Sequence, residues 1–292
     1  MNNGQGRTTS KQSEGSSACR RIALYSHETM GLGHLRRNLL IAEALSHSAL
    51  QPTILLITGA REASAFALPR GVDCVTLPAV RKSMDGQYYA RGLDVSFADL
   101  IALRSNIIRA TLDAFQADVF IVDKVPRGTG HELDAALQSM QASGHTRCVL
   151  GLRDILDEPG AVQREWLRDG NCEATHNYYD AVWIYGDPTI YDAVHEYNFS
   201  AEIARKVRYT GYLDRHVPAP ATARDEALAA FDLPPGRMVL CMVGGDRTAR
   251  WWPRRLPRPS FPPVLMECLS PALSCRRKCS IACAASLPPS PG

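Results

Sequence analysis

What most constrains the fold of this chain is a set of short apolar runs with no alternation, each stopping at glycine or at polar residues. Ile22-Ala-Leu-Tyr-Ser26 and Thr53-Ile-Leu-Leu-Ile-Thr58 show it best. A strand that is apolar at nearly every position is buried on both sides, as in a parallel sheet covered by helices. Cys74–Leu77, Val119–Asp123, Cys148–Leu152 and Ala181–Tyr185 are further runs of this kind. Between them, Leu35–Leu45, Phe97–Phe115, His131–Gln141 and Pro188–Tyr197 carry apolar residues near the helical period. Repeated strand, loop and helix predict a doubly wound parallel α/β domain over residues 19–215, with ligands taken up at the carboxyl ends of its strands.

Beyond Val207–Tyr212, read as one more strand, the pattern thins. A linker (Val217–Thr222) and a helix (Arg224–Phe231) lead to Met238–Val243, which ends in Gly244-Gly245. That run has the form of the first strand of a second α/β domain, so residues 216–245 read as linker and domain start. Residues 246–292 hold nine of the nineteen prolines and two of the four tryptophans. Proline excludes long helices and interior strands, so this stretch is expected to be an irregular, disordered tail. Residues 1–18 are mostly Ser, Gly, Asn, Gln and Thr, with no apolar stretch. They are expected to be a disordered leader on a cytoplasmic protein, since a secretory signal needs an apolar centre. Nowhere do roughly 18 apolar residues follow one another, as a spanning helix requires.

The net charge of +3 joins two unlike pieces. Residues 246–292 carry eight bases and two acids, leaving 25 bases and 28 acids in the body. A mildly acidic body points to no nucleic-acid partner. Cys19, Cys74, Cys148, Cys172 and Cys241 are scattered through it, as buried reduced thiols would be. Cys268, Cys275, Cys279 and Cys283 lack the C-x2-C spacing and any histidine, so no metal site is expected.

The loop Gly31-Leu-Gly33-His34 lies between the first strand and the first helix. Glycines there let a ligand approach the backbone, and the helix start offers N–H groups to an anion. Arg36 stands where a dinucleotide fingerprint needs its third glycine, and Thr58-Gly59 supplies no acid for a ribose, so no NAD is expected. His34, at the positive end of that helix, is the natural neutral base; its bland reading is a capping or packing histidine. His27 is a second candidate, and one of Arg36 and Arg37 is expected to face the cleft. Asp123 and Lys124 end another strand and read either as cleft residues or as a pair satisfying each other. Arg127–His131 repeats the strand–glycine–helix arrangement. Arg153 and Asp154 end the next strand and are site candidates, whereas Asp157 reads as the cap of a helix opening with Glu158 and Pro159. Trp166, Tyr178 and Tyr179 read as core. Leu77–Asp94, with Arg81, Lys82, Tyr88, Tyr89 and Arg91, reads as a surface loop that could select an acceptor or touch lipid headgroups.

Two stretches together, Tyr25-Ser-His-Glu-Thr-Met-Gly-Leu-Gly-His-Leu-Arg-Arg37 and Gly151-Leu-Arg-Asp-Ile-Leu-Asp-Glu-Pro159, resemble glycosyltransferases of the two-domain GT-B type. The likeness is to the family 28 group, relatives of the peptidoglycan N-acetylglucosaminyltransferase, and runs from about Arg21 to Gly245. The resemblance implies an inverting transferase moving a sugar from a nucleotide-diphosphate sugar to an acceptor hydroxyl of a glycan or a lipid-linked molecule, with peripheral membrane contact admitted. It implies His34 as catalytic base, Gly31, Gly33, Arg153 and Asp154 on the acceptor side, and Gly244 and Gly245 on the donor side. No metal or other cofactor is implied. Family members continue past Gly244-Gly245 with a full donor domain. Here the Pro/Arg/Trp/Cys-rich stretch stands instead, as a truncated or frame-shifted donor half would, so this chain is expected to be incomplete and inactive. Two further readings stand beside it: a nucleotide-sugar epimerase of the same architecture, and a non-catalytic remnant that binds acceptor.

Overall fold

The structure, a computed structural model, describes residues 20–28, 31–83 and 87–214. The leader, Gly244 and Gly245, the linker, the second-domain start and the four-cysteine cluster lie outside the described residues.

Seven parallel strands form one sheet. They are β1 (Arg21–Ser26), β2 (Thr53–Thr58), β3 (Val72–Thr76), β6 (Val119–Asp123), β7 (Arg147–Arg153), β8 (Ala181–Tyr185) and β9 (Val207–Tyr209). Between β3 and β6 a small antiparallel pair, β4 (Val80–Lys82) and β5 (Tyr88–Ala90), gives structure to the segment expected to be a plain loop. The strand order is β3-β2-β1-β6-β7-β8-β9, so winding reverses between β1 and β6. This is the doubly wound α/β fold, and its switch point is the crevice at the carboxyl ends of β1 and β6.

The helices divide unequally between the two faces. On one face α1 (Gly33–Ser46) sets Ile41 and Ala42 against Ile22, Leu24, Ile54, Leu56, Ile121 and Val149. On the other, α2 (Phe97–Phe115), α3 (Asp134–Ser143), α4 (Pro159–Arg168), α5 (Asn171–Tyr178), α6 (Ala193–Glu196) and α7 (Ala201–Lys206) follow in chain order. Their buried residues, among them Ile108, Leu137, Trp166 and Ile203, pack on Ala23, Tyr25, Phe120, Val122, Leu150 and Val182. Adjacent strand residues feed opposite cores, which is why the runs are apolar throughout.

Several boundaries differ from expectation for local reasons. The helix expected from His131 begins at Asp134, because Gly128 and Gly130 at positive φ and a short 3₁₀ turn at Thr129–His131 intervene. The helix expected at Pro188–Tyr197 is only Ala193–Glu196, opened by Asp192, whose carboxylate accepts from the Val194 and His195 N–H groups. The strand expected to run to Tyr212 ends at Tyr209. Glu158, not Asp157, caps α4, accepting from the Gly160 and Ala161 N–H groups with Pro159 in the first turn. Trp166 and Tyr179 are buried core, as expected. Cys148 is buried, and desolvation pushes its thiol up to about 12. Cys172, however, is exposed, against the expectation of buried thiols throughout.

Candidate functional site

Two strands and one helix meet at the switch point. β6 ends in Asp123, a carboxylate with no exposed surface, on the same side of the sheet as α1. The first turn of α1 brings His34 and Arg37 over it. His34 Nδ1 lies 2.5 Å from Asp123 Oδ2, and Arg37 Nη1 donates to Asp123 Oδ1 at 2.5 Å. Because a carboxylate only accepts, Nδ1 carries a proton, and in the neutral ring that leaves the lone pair on Nε2. His34 keeps 23% of its side chain exposed and Nε2 has no hydrogen-bond partner among the described residues. A histidine oriented through Nδ1 by a buried carboxylate, with Nε2 open, is the arrangement of a general base.

Three other side chains close around this pair. The His27 ring stands 4.5 Å from that of His34, and burial, then the charge of His34, holds its pKa well below the ordinary histidine value. Glu28, also buried, accepts from Thr58 Oγ1 at 2.8 Å, and desolvation raises its carboxyl pKa. Tyr185 reaches in from β8, two strands away. It crosses β7 at Gly151, where a Cβ would overlap its hydroxyl. Its ring lies under the Arg37 guanidinium at 5.9 Å, and burial raises its pKa ahead of the Asp123 charge. His27 Nδ1, Glu28 Oε1 and the Tyr185 hydroxyl are all buried without a hydrogen-bond partner. Such groups are rare in folded proteins, and a cluster of them marks a place built for a polar ligand or water.

The sequence-expected residues fall as follows. Gly31, at φ 84°, and Gly33 border open space at the start of α1, whose N-cap, Leu32, provides no side-chain cap. Arg37 faces the cleft; Arg36 is exposed. Asp123 does not pair with Lys124: the lysine takes φ 68° and turns to a separate small cavity with Leu156, Asp157, Glu165, Trp166 and Asn171. Desolvation, then Arg153, lowers its pKa there. Arg153 Nη2 donates to the Leu156 carbonyl at 2.5 Å. Asp154 accepts from the Ile155 N–H and from the Tyr212 hydroxyl at 3.0 Å. Both stand at the end of β7, and no hydrogen bond joins them to His34. Glu28 and Tyr185 went unread in the sequence. For Glu28 there was a signal: an acid directly after a buried strand and a histidine.

No protein-family model matches the chain, and no curated protein sequence matches it. Solved structures are similar at low identity. A UGT transferase from Siraitia grosvenorii, in complex with UDP, is 10% identical with a TM-score of 0.45 over 76% of this chain. The calicheamicin glycosyltransferase CalG4 is 12% identical at a TM-score of 0.38 over 69%. A Listeria monocytogenes protein described as a UDP-N-acetylglucosamine 2-epimerase is 11% identical at 0.41 over 65%. The chain spans 58%, 56% and 44% of their respective lengths. The fold assignment rests on the strand order, not on these likenesses. Among the described residues no helix is long and apolar enough to cross a membrane, and no group of three or more His, Cys, Asp or Glu could hold a metal ion.

Proposed function

We propose that the described residues form the acceptor half of a glycosyltransferase of GT-B type, similar to family 28, and that His34 is its general base. The observation that carries this reading is the His34–Asp123 pair at the topological switch point, with the His34 side chain partly exposed and Nε2 without a hydrogen-bond partner among the described residues. An acceptor hydroxyl bound there gives its proton to Nε2 as its oxygen attacks the anomeric carbon of a nucleotide-diphosphate sugar. The bond from that carbon to the diphosphate breaks, inverting the centre, and the nucleoside diphosphate leaves. Asp123 stabilises the imidazolium that forms, and Arg37 holds the second carboxylate oxygen so that Asp123 keeps its aim. Gly31 and Gly33 leave room for the acceptor beside α1, with Arg153 and Asp154 further along the same edge. Gly244 and Gly245 belong to the donor side of this reading. The exposed Arg81, Lys82 and Tyr89 of the β4–β5 pair are its candidate contact with a lipid-linked acceptor or a membrane surface.

The test is transfer by the chain joined at Gly245 to a nucleotide-sugar-binding domain, assayed with uridine and thymidine diphosphate-sugars. His34→Ala should lower turnover by about 10²-fold or more while folding survives. Turnover within about threefold of the parent would remove His34 from the mechanism. Consumption of the sugar nucleotide without any acceptor would favour the epimerase reading instead.

A further inference from the structure

Glu28 is the one carboxylate of the crevice with an unused oxygen. Two neighbouring hydroxyls, of Thr58 and Ser26, act on its carboxylate. Thr58 Oγ1 has a single hydrogen and gives it to Glu28 Oε2 at 2.8 Å. The same hydroxyl accepts from the Ala60 N–H at 3.1 Å and from Ser26 Oγ at 3.3 Å, so its capacity is filled. Oε1 is left buried with no partner. Asp123, by contrast, has both oxygens engaged by His34 and Arg37.

The backbone holds this carboxylate where it is. The His27–Glu28 peptide presses against Gly59 at the end of β2, where a Cβ would collide with the His27 carbonyl. Glu28 takes φ 20°, outside the regions side-chain-bearing residues favour. The Thr58 bond then pins Oε2. Glu28 directly follows His27, whose ring stands 4.5 Å from that of His34. His34 and Asp123 also act on the Glu28 charge through space.

Leaving a buried carboxylate oxygen unpartnered is costly, and a hydrogen bond to it from a ligand hydroxyl is of the stronger, charge-assisted kind. We propose that Glu28 is the specificity residue of the acceptor site, its Oε1 accepting a hydrogen bond from a second acceptor hydroxyl next to the one that His34 deprotonates. The acceptor class is thereby a vicinal diol, as on a sugar ring, and not a lone alcohol. This rests on the acceptor reading of His34 given above. It adds a group that binds and selects but exchanges no proton in the reaction.

The test uses the 292-residue chain and two probes, methyl glucopyranoside for the vicinal diol and cyclohexanol for the lone hydroxyl. Binding is followed by the NMR signals of the His27 and His34 imidazoles, assigned by substitution. The glucoside should move both signals and bind about tenfold or more tightly than cyclohexanol, the size of one charge-assisted hydrogen bond. Glu28→Gln, which keeps the shape and the Thr58 bond, should bring the two probes within about threefold of each other and leave cyclohexanol binding unchanged. An unchanged preference in Glu28→Gln would overturn the role of Glu28 and leave that of His34 standing. No preference in the parent chain would do the same, even if the variant failed to fold. A His34 signal that neither probe moves would overturn the acceptor reading together with this one.

Discussion

Two charged clusters lie buried at the carboxyl end of β1, one on each face of the sheet, and they are built to opposite rules. On the α2 side, Arg104 and Glu132 have no exposed surface at all. Arg104 Nε and Nη2 grip the two Glu132 oxygens, the second at 2.8 Å, and Nη1 donates to the Pro78 carbonyl at 2.6 Å. The Tyr25 hydroxyl completes the set by donating to Glu132. None of these side-chain groups is left over. On the α1 side, His27, Glu28 and Tyr185 each keep a buried polar atom with no partner, around the His34–Asp123–Arg37 group. A closed network ties α2, the loop before β4 and the segment before α3 to β1. An open one costs stability that a bound ligand can return. On the proposed reading of His34, the difference separates structure from function within one strand.

That contrast can be broken by substitution, and the closed cluster should give the largest effect. Arg104→Met leaves Glu132 as a buried, half-paired charge and should cost about 3–5 kcal/mol in denaturant unfolding. Arg37→Met should cost much less, because Asp123 keeps His34 and the pair is partly exposed, with 23% of the His34 side chain accessible. Equal losses would erase the distinction.

The two tyrosines sharpen it. Tyr25→Phe removes a hydroxyl bonded to a buried carboxylate and should destabilise by about 1.5–3 kcal/mol. Tyr185→Phe removes a hydroxyl with no partner, so the free protein should change by no more than about 0.5 kcal/mol, in either direction. Calorimetric melting of both variants decides between them. A large loss at Tyr185 would mean that its hydroxyl is already satisfied.

A pH dependence spreads its effect over more than one pH unit. His27 is held neutral, with a folded pKa below its unfolded value, so the unfolded chain binds the extra proton. Its contribution is in place above about pH 6.5 and is lost as pH falls below that value, with a slope of up to about 1.4 kcal/mol per pH unit. Glu28 carries the opposite sign: its raised pKa means stability falls as pH rises above about 4.3 towards the folded value. His27→Gln should flatten the acid limb between pH 6.5 and 5, and stability measured across that range checks it. An unaltered limb would place the acid sensitivity elsewhere.

The sheet was legible because burial on both faces leaves a plain mark: Thr53–Thr58, Val119–Asp123 and Ala181–Tyr185 are strands at the expected residues, and Phe97–Phe115 is α2. His34 was legible from its glycine loop. Its partner was not, since Asp123 lies 89 residues away and only the strand order sets β6 beside β1. Asp123 read equally as a cleft residue and as a partner for Lys124, and the left-handed backbone at that lysine turns it away. Arg104 did leave a signal. It occupies the buried stripe of α2 between Leu100 and Ile108, and a cation there requires a buried acid. Tyr185 left none, because crossing a neighbouring strand depends on a glycine whose use shows only in three dimensions.

The proposed role of His34 as an open base held by Asp123 is tested most directly by nitrogen NMR of its imidazole in the chain itself. In the neutral ring the proton should sit on Nδ1 with Nε2 unprotonated, and Asp123→Asn should release the ring to a mixture of tautomers. A proton found on Nε2 in the parent chain, or a tautomer indifferent to Asp123→Asn, would contradict it.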